Sequence, residues 1–172
     1  MRDNFEACLA EVLKHEGGWA DHPKDPGGAT MKGVTIGTYS TWLGRQATKD
    51  ELRNIPDEHL RQIYKAWYWD KVKGDELPRG VDLCLFDYAV NSGPKRAVVA
   101  VQDTLRVNPD GALGPKTLEA IKMADPATLL GEVCQRRLAF LQALPFWSTF
   151  GGGWGRRVKE VETAGRKMCA TS

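Results

Sequence analysis

The run "GVDLCLFDYAVNSG", residues 80–93, decides how the rest of the chain folds, because apolar side chains fill nearly every side of it. A helix that is apolar all round is typical of one enclosed by other helices. A buried strand is the alternative for so short an apolar run. We predict a central helix, and we expect the segments before and after it to supply the helices that cover it.

Helical spacing of apolar residues continues on both sides of this run. The other predicted helices cover residues 3–15, 39–43, 57–69, 94–105, 115–123, 126–141 and 154–168. Asp3, Thr48 and Asp125 are predicted N-caps, because their side chains can accept a hydrogen bond from a free backbone N–H. Trp67 is expected on the buried face of its helix, and the glycines of "GGGWGRR", residues 151–157, are expected to separate the last two helices. The fold class is therefore mainly α.

The composition argues against several classes of function. The 172-residue chain has a net charge of +2, far from the dense basic patches of a nucleic-acid-binding protein. Its four cysteines lack Cys-x-x-Cys spacing, so we expect reduced core thiols. His15, His22 and His59 lack the His-Glu-x-x-His pattern of zinc sites, and we expect no metal or other cofactor.

The sequence also carries no membrane or export signal. No apolar run approaches the roughly 18 residues of a membrane span, and the first residues lack the apolar segment of a signal peptide. We therefore expect synthesis in the cytoplasm and no stable membrane insertion. If the target lies outside the cell membrane, another system must release the protein to it.

The loop "HEGGWADHPKDPGGATMKGVT", residues 15–35, contains the first candidate for chemistry, Glu16. Helical steps from Phe5 through Leu9 and Val12 reach Glu16, so this carboxyl continues the buried face of the first helix. Both the helix C-terminus and partial burial disfavour a carboxylate anion and favour the protonated acid. A protonated carboxyl is what general-acid cleavage of a glycosidic bond requires. The alternative is that Glu16 is the frayed end of a surface helix.

Further hydrogen-bonding groups follow Glu16 in the same loop, namely Asp21, Asp25 and Thr30. Glycosidases commonly pair an acid with a second carboxylate, and the distance between the two selects inversion or retention. The loop therefore has the composition of a glycosidase site, with Glu16 facing two candidate partners.

The stretch "EGGWADHPKDPGGATMKGVT" resembles the signature of glycoside hydrolase family 108, N-acetylmuramidases found as phage endolysins and as muramidases of bacterial secretion. The resemblance implies that Glu16 is the catalytic acid. Phage-type lysozymes place eight residues between this Glu and an Asp, then five before a Thr. Glu16 and Asp25 keep the first interval, whereas Met31 holds the threonine position and Thr30 stands one place early. The resemblance thus implies that Asp25 orients or activates water, with Thr30 as a third candidate.

The second half of the chain resembles the C-terminal region that accompanies this family and is labelled peptidoglycan-binding. The resemblance rests on "LFDYAVNSGPKRAVVAVQDTLRVNPDGALGPKTLEAI", residues 85–121. It implies a catalytic region at 7–92 and a peptidoglycan-binding region at 93–168, in a lysozyme-like helical bundle. Because apolar stripes on the later helices need partners in the first half, we expect one compact body with a cleft.

Several side chains are candidates for substrate contact. Trp19 and Tyr68 present rings that can stack on sugars, and Asn91 can hydrogen-bond a sugar acetamide. Core packing is the alternative for the aromatic residues, including those of "PFWSTFGGGWGRR", and a helix cap is the alternative for Asn91. Arg156 and Arg157 are interpreted as solvated side chains.

The resemblance and the loop together predict a lysozyme. We expect a monomeric muramidase that cleaves the β-1,4 bond between N-acetylmuramic acid and N-acetylglucosamine of bacterial peptidoglycan. A phage endolysin is the expected role, acting on the cell wall after holin-type release or dedicated export. A lytic transglycosylase and a non-catalytic peptidoglycan-binding protein are the alternatives.

Overall fold

The predicted central helix is present as α5, Val81–Ser92, in the computed structural model, which describes residues 4–171. Every residue from Val81 to Ala89 is buried, so this part of the helix has no solvent-facing side. The prediction of an enclosed helix is therefore confirmed, and the strand alternative is wrong.

Other helices surround α5, and the mainly α, lysozyme-like fold class is confirmed. Before it come α1 Asn4–Leu13, α2 Ile36–Leu43, α3 Lys49–Arg53 and α4 Asp57–Tyr64, and after it α6 Pro94–Leu105, α7 Pro115–Met123, α8 Pro126–Gln142 and α9 Trp147–Ala170. The predicted caps at Thr48 and Asp125 are confirmed, since their side chains accept the Glu51 and Thr128 backbone N–H groups. The predicted cap Asp3 lies outside the described residues.

Two clusters of buried side chains form the core, and α5 contributes to both. Leu85 and Tyr88 belong to the cluster shared with α6, α7 and α8. Leu83 and Phe86 belong to the cluster shared with α1, α2 and α4. Because opposite faces of one helix enter the two clusters, α5 ties the first half of the chain to the second. Within residues 4–171, no helix has both the length and the apolarity to cross a membrane.

The loop between α1 and α2 contains a small sheet that the sequence analysis missed. Strands β1 Trp19–Ala20, β2 Thr30–Met31 and β3 Val34–Thr35 pair antiparallel in that order. Lys32 and Gly33 form the two-residue turn between β2 and β3, with φ angles of 48° and 80°. Positive φ at both central residues is the requirement of a tight hairpin turn, and glycine meets it without strain.

The prediction of one regular helix over residues 57–69 is wrong. A π-helical segment, Lys65–Trp69, follows α4 directly. Its wider turn rotates the later side chains relative to a regular helix. As a result Trp69 is fully buried, whereas Trp67, the predicted core residue, is only partly buried.

The expectation that glycines interrupt the chain before the last helix is also wrong, because α9 runs through them from Trp147. Each interior glycine disfavours a helix by about 1 kcal/mol relative to alanine. Packing offsets this cost, since α9 lies along α8 and the Trp147 ring covers Gly151. A Cβ on Gly151 would lie 2.5 Å from that ring.

Candidate active site

Glu16 lies three residues beyond the end of α1, on tight turns that continue the helix direction. The backbone N–H groups of His15 and Glu16 donate to Val12 and Leu13 at 3.0 and 3.3 Å. The Glu16 side chain is only 18% exposed. This burial agrees with the predicted inward direction and disagrees with a frayed surface end.

The β2–β3 turn packs directly against the Glu16 carboxyl. A Cβ on Gly33 would lie 2.8 Å from Glu16 Oε2 and 2.5 Å from the Tyr64 hydroxyl, so no larger residue fits there. The Tyr64 hydroxyl donates to the Lys32 carbonyl at 2.8 Å and fixes the turn in place. The "MKG" of the loop signature therefore shapes one wall around the carboxyl.

Arg157 of α9 holds the other side of the carboxyl. Its Nη2 lies 3.0 Å from Glu16 Oε1, and its side chain is only 12% exposed. The interpretation of Arg157 as solvated is wrong, although its neighbour Arg156 is exposed as expected. Because Arg157 stands four residues before the buried Val161, helical spacing alone already places it on an inward face.

Arg157 also binds a second carboxylate, Asp87 of α5. Its Nη2 and Nε donate to Asp87 at 2.9 and 3.2 Å, and Arg137 of α8 donates to the same carboxylate at 2.7 Å. Asp87 and Arg137 are fully buried. Glu16, Arg157, Asp87 and Arg137 thus form a chain of alternating charges, the ion network, which joins α5, α8 and α9 to the loop.

The pKa values in the ion network follow from this alternation. Burial acts to raise the pKa of Asp87, but Arg137 and Arg157 outweigh burial and hold that pKa below its ordinary value. Burial acts to lower the pKa of Arg157, but Asp87 and then Glu16 raise it overall. The Arg157 guanidinium beside Glu16 has no signal in the local sequence, which shows only the helix end and the buried face.

Two tyrosines complete the surroundings of Glu16. Tyr68, on the π-helical segment, has its ring centre 5.7 Å from that of Tyr64. Burial and then the charge of Glu16 raise the pKa of both phenols, so both hydroxyls keep their protons at neutral pH and can donate. Tyr68, a predicted substrate residue, thus lies beside Tyr64, whose hydroxyl packs at the Gly33 turn next to the predicted acid.

Asn91, at the end of α5, is placed at the outer end of the ion network. Its side-chain oxygen accepts from Arg137 Nη2 at 3.3 Å, and the residue is exposed. The same oxygen also accepts from the Ser92 hydroxyl at 3.3 Å. These bonds orient its amide nitrogen, which remains a donor for a ligand.

The remaining predicted residues lie on the small sheet and its loop. Asp25 is exposed, and its Oδ1 accepts the Gly27 backbone N–H at 2.8 Å within its own turn. Thr30 pairs in β2 with Ala20 and Thr35. Trp19 lies partly buried on β1, with the Arg53 guanidinium 5.5 Å from its ring centre.

Both halves of the chain are similar to known proteins. Residues 9–93 match the family model described as Glycosyl hydrolase 108, and residues 96–159 match the one described as Predicted Peptidoglycan domain. The solved structure of Brucella abortus SagA is 41% identical, with a TM-score of 0.88 over 98% of this chain and 97% of that chain. The chain belongs to glycosyl hydrolase family 108. No curated protein sequence matches it significantly.

As a member of family 108, the chain is a glycoside hydrolase, and its second matched region makes peptidoglycan the substrate. The division at residues 92 and 93 stays a prediction. Within residues 4–171, no three histidine, cysteine or acidic side chains cluster as metal ligands. In this family 108 enzyme the residues that meet at Glu16 come from the β2–β3 turn, the end of α4, the π-helical segment and α9.

Sequence reasoning missed Asp87, Arg137 and Arg157, which lie between 71 and 141 residues beyond Glu16 in the chain. Asp87 had a visible signal, because a carboxylate inside an enclosed helix needs a buried cation or several hydrogen-bond donors. Arg137 shared that signal, being the basic residue on the otherwise apolar stripe of α8. The pairing itself became visible only in the structure.

Proposed function

We propose that this family 108 enzyme is an N-acetylmuramidase, and that Glu16 protonates the departing oxygen of the β-1,4 bond between N-acetylmuramic acid and N-acetylglucosamine. The observation that carries the proposal is a mostly buried carboxyl held between Arg157 and the Gly33 turn. An acid fixed in this way can meet a glycosidic oxygen at one defined position, which is the geometric requirement of general-acid catalysis.

The ion network bears on how Glu16 receives and releases its proton. Arg157 shares its charge between Glu16 and Asp87, so its attraction for Glu16 is weaker than that of an arginine bound to Glu16 alone. A sugar bound over Glu16 excludes water, and this desolvation favours the protonated acid. When the proton leaves, Arg157 stabilises the new carboxylate.

Asp25, in the loop between β1 and β2, is proposed to orient or activate the attacking water, and Thr30 of β2 is proposed as a third catalytic residue. The Gly27 N–H fixes Asp25 Oδ1, which leaves the other carboxylate oxygen facing solvent. We propose that Trp19, Tyr68 and Asn91 contact the substrate. Tyr68 has the best structural support, because its ring packs beside Tyr64, whose hydroxyl holds the β2–β3 turn against Glu16.

Product analysis tests this reaction. Purified peptidoglycan is digested with the parent protein and with Asp25→Asn, and the fragments are identified by mass spectrometry. We expect reducing muramic acid ends from the parent and about 10²-fold less from the variant.

Two results would contradict the proposed reaction. Anhydro-muramic acid products would make the enzyme a lytic transglycosylase, in which the hydroxyl of the substrate attacks and Asp25 is not needed. The exposed position of Asp25 is the observation that favours this alternative reaction. Binding of peptidoglycan without any released fragments would indicate a non-catalytic protein.

We further propose the role of a phage endolysin that works as a monomer. It would reach the cell wall through holin-type lesions or a dedicated export route. The support is the resemblance to a family that includes endolysins. Co-expression with a holin in a Gram-negative host should cause rapid lysis, and expression of the protein alone should not. Lysis without a holin, or none with one, would contradict this role.

A further inference from the structure

The inward-facing side of α9 changes its surroundings halfway along the helix. From Arg157 onwards this side enters the protein, since Arg157 binds Glu16 and Val161 is 1% exposed. Residues spaced three or four apart share one side of a helix. The same side before Arg157 carries Trp154, Phe150 and Phe146.

These three aromatic residues, which we call the aromatic track, lead away from Glu16. Trp154 is partly buried against the core, and the other two are open to solvent. Phe146 is 64% exposed and Phe150 is 53% exposed. Their ring centres lie 6.5 Å apart, and the rings of Phe150 and Trp154 stack at 5.7 Å. From Phe146 to Arg157 the helix rises by about 16 Å, at 1.5 Å per residue.

The space beside the aromatic track is also open. A Cβ on Gly153, on the same side of the helix, would meet no atom within 4 Å. Contiguous exposed aromatic rings are uncommon on soluble proteins and mark sites of interaction. The aromatic track therefore has the form of a binding surface that continues outwards from the catalytic carboxyl.

We infer that the aromatic track binds sugar rings of the glycan strand whose scissile bond lies at Glu16. This inference rests on the proposed function, since it extends the same substrate along α9. Flat, rigid rings contribute contact area with little loss of conformational entropy. Their negatively charged faces attract the weakly positive C–H groups that sugars present.

The aromatic track itself is uncharged, and the exposed Arg156 follows it directly along α9. Residues 144–155, "LPFWSTFGGGWG", contain no charged side chain, whereas Ser148 and Thr149 are exposed hydroxyls. Helices that lie on membranes carry lysine and arginine on their polar side, and this segment has none. Two exposed phenylalanines also bury far less than the roughly 800 Å² per partner of a stable protein interface. A sugar strand, which presents flat C–H faces together with hydroxyl groups, fits these features better than a membrane or a second copy of the chain.

Direct binding tests the inference without requiring cleavage. Soluble, peptide-free glycan strands are titrated calorimetrically into Glu16→Gln, alone and combined with Phe150→Ala or Phe146→Ala. We expect each alanine to raise the Kd about three- to tenfold, and Phe150→Tyr to restore it. Met123→Ala is the control, because Met123 is 81% exposed at the end of α7, away from α9, and its change should leave the Kd unaltered.

Several outcomes would overturn the inference. An unchanged Kd in both alanine variants would show that the aromatic track does not bind glycan. Co-sedimentation with anionic vesicles, lost in Phe150→Ala, would assign it to a membrane, and a dimer mass lost in the same variant would assign it to a second copy. Failure of the proposed function is distinguishable, because a parent protein that binds glycan through the track but releases no fragments would refute only the reaction.

Discussion

The loop of residues 15–35 and the helices α5, α8 and α9 contribute to one site in opposite ways. The loop offers Asp25 and the strands β1 and β2, which are exposed or partly exposed. The helices offer Asp87 and Arg137, which are fully buried. Glu16 lies where the two regions meet. The loop thus contains the proposed acid, whereas helices that are distant in the chain determine its electrostatic environment.

The two regions should respond differently to substitution. Removing one partner of a buried ion pair leaves the other charge without compensation, which is strongly destabilising. Changes at exposed positions usually alter stability by less than about 0.5 kcal/mol. Substitutions of the fully buried pair Asp87 and Arg137 should therefore affect folding first, and substitutions in the loop should affect activity first.

Asp87→Asn should show the largest effect on stability. It leaves the buried guanidinium of Arg137 without its carboxylate and should lower the free energy of unfolding by about 3–5 kcal/mol. Urea denaturation measures the change, with Asp103→Asn on the exposed side of α6 as the control. A loss of less than 1 kcal/mol would show that the ion network does not stabilise the fold.

Acidification should reduce that difference. Because the folded-state pKa of Asp87 is lowered, its contribution is complete above its unfolded pKa of about 3.9 and is lost as the pH falls through the lowered value. We expect the parent and Asp87→Asn to differ equally at pH 7 and pH 5, and to converge in stronger acid. Urea denaturation at several pH values measures the difference in free energy of unfolding between the two proteins. A difference that grows on acidification would contradict the prediction.

Gly33→Ala should have an intermediate effect and should disturb both regions. The new methyl group meets Glu16 and the Tyr64 hydroxyl at a positive φ, which should cost about 1–3 kcal/mol and displace the carboxyl. The melting temperature and the rate of peptidoglycan hydrolysis should both fall. Gly37→Ala in α2 is the control, because a Cβ there meets only Thr35 at 3.9 Å. Equal melting temperatures and equal hydrolysis rates of the two variants would refute the close packing of Gly33 against Glu16 and Tyr64.

Asp25→Asn should have the smallest effect on stability, within about 0.5 kcal/mol. Asparagine keeps an oxygen that can accept the Gly27 N–H, so the turn should survive while the charge is removed. Calorimetric melting curves should overlap with those of the parent. A large loss of stability would mean that Asp25 has a structural role that its exposed position does not indicate.

The sequence predicted the helices where the pattern was local and strong. The enclosed α5 and the caps at Thr48 and Asp125 follow from apolar spacing and from short polar side chains. The π-helical segment was not predictable, because it depends on which tryptophan the assembled core accepts. The run of glycines in α9 was misread, since packing on α8 outweighs local propensity.

The candidate site was predictable only in part. The spacing from α1 identified Glu16 as an inward-facing carboxyl, and its burial agrees with that prediction. Its ion pair with Arg157 joins residues 141 positions apart and has no local signature. The roles of Asp25, Thr30, Trp19, Tyr68 and Asn91 stay predictions.

The central claim is that Glu16 is the proton donor, and the rate of peptidoglycan hydrolysis by Glu16→Gln tests it most directly. Glutamine keeps the shape of the side chain and removes the acid, so we expect the rate to fall by at least about 10²-fold with an unchanged melting temperature. Glu11→Gln, on the partly exposed side of α1, should keep the parent rate. A Glu16→Gln protein that digests purified peptidoglycan as fast as the parent would contradict the account.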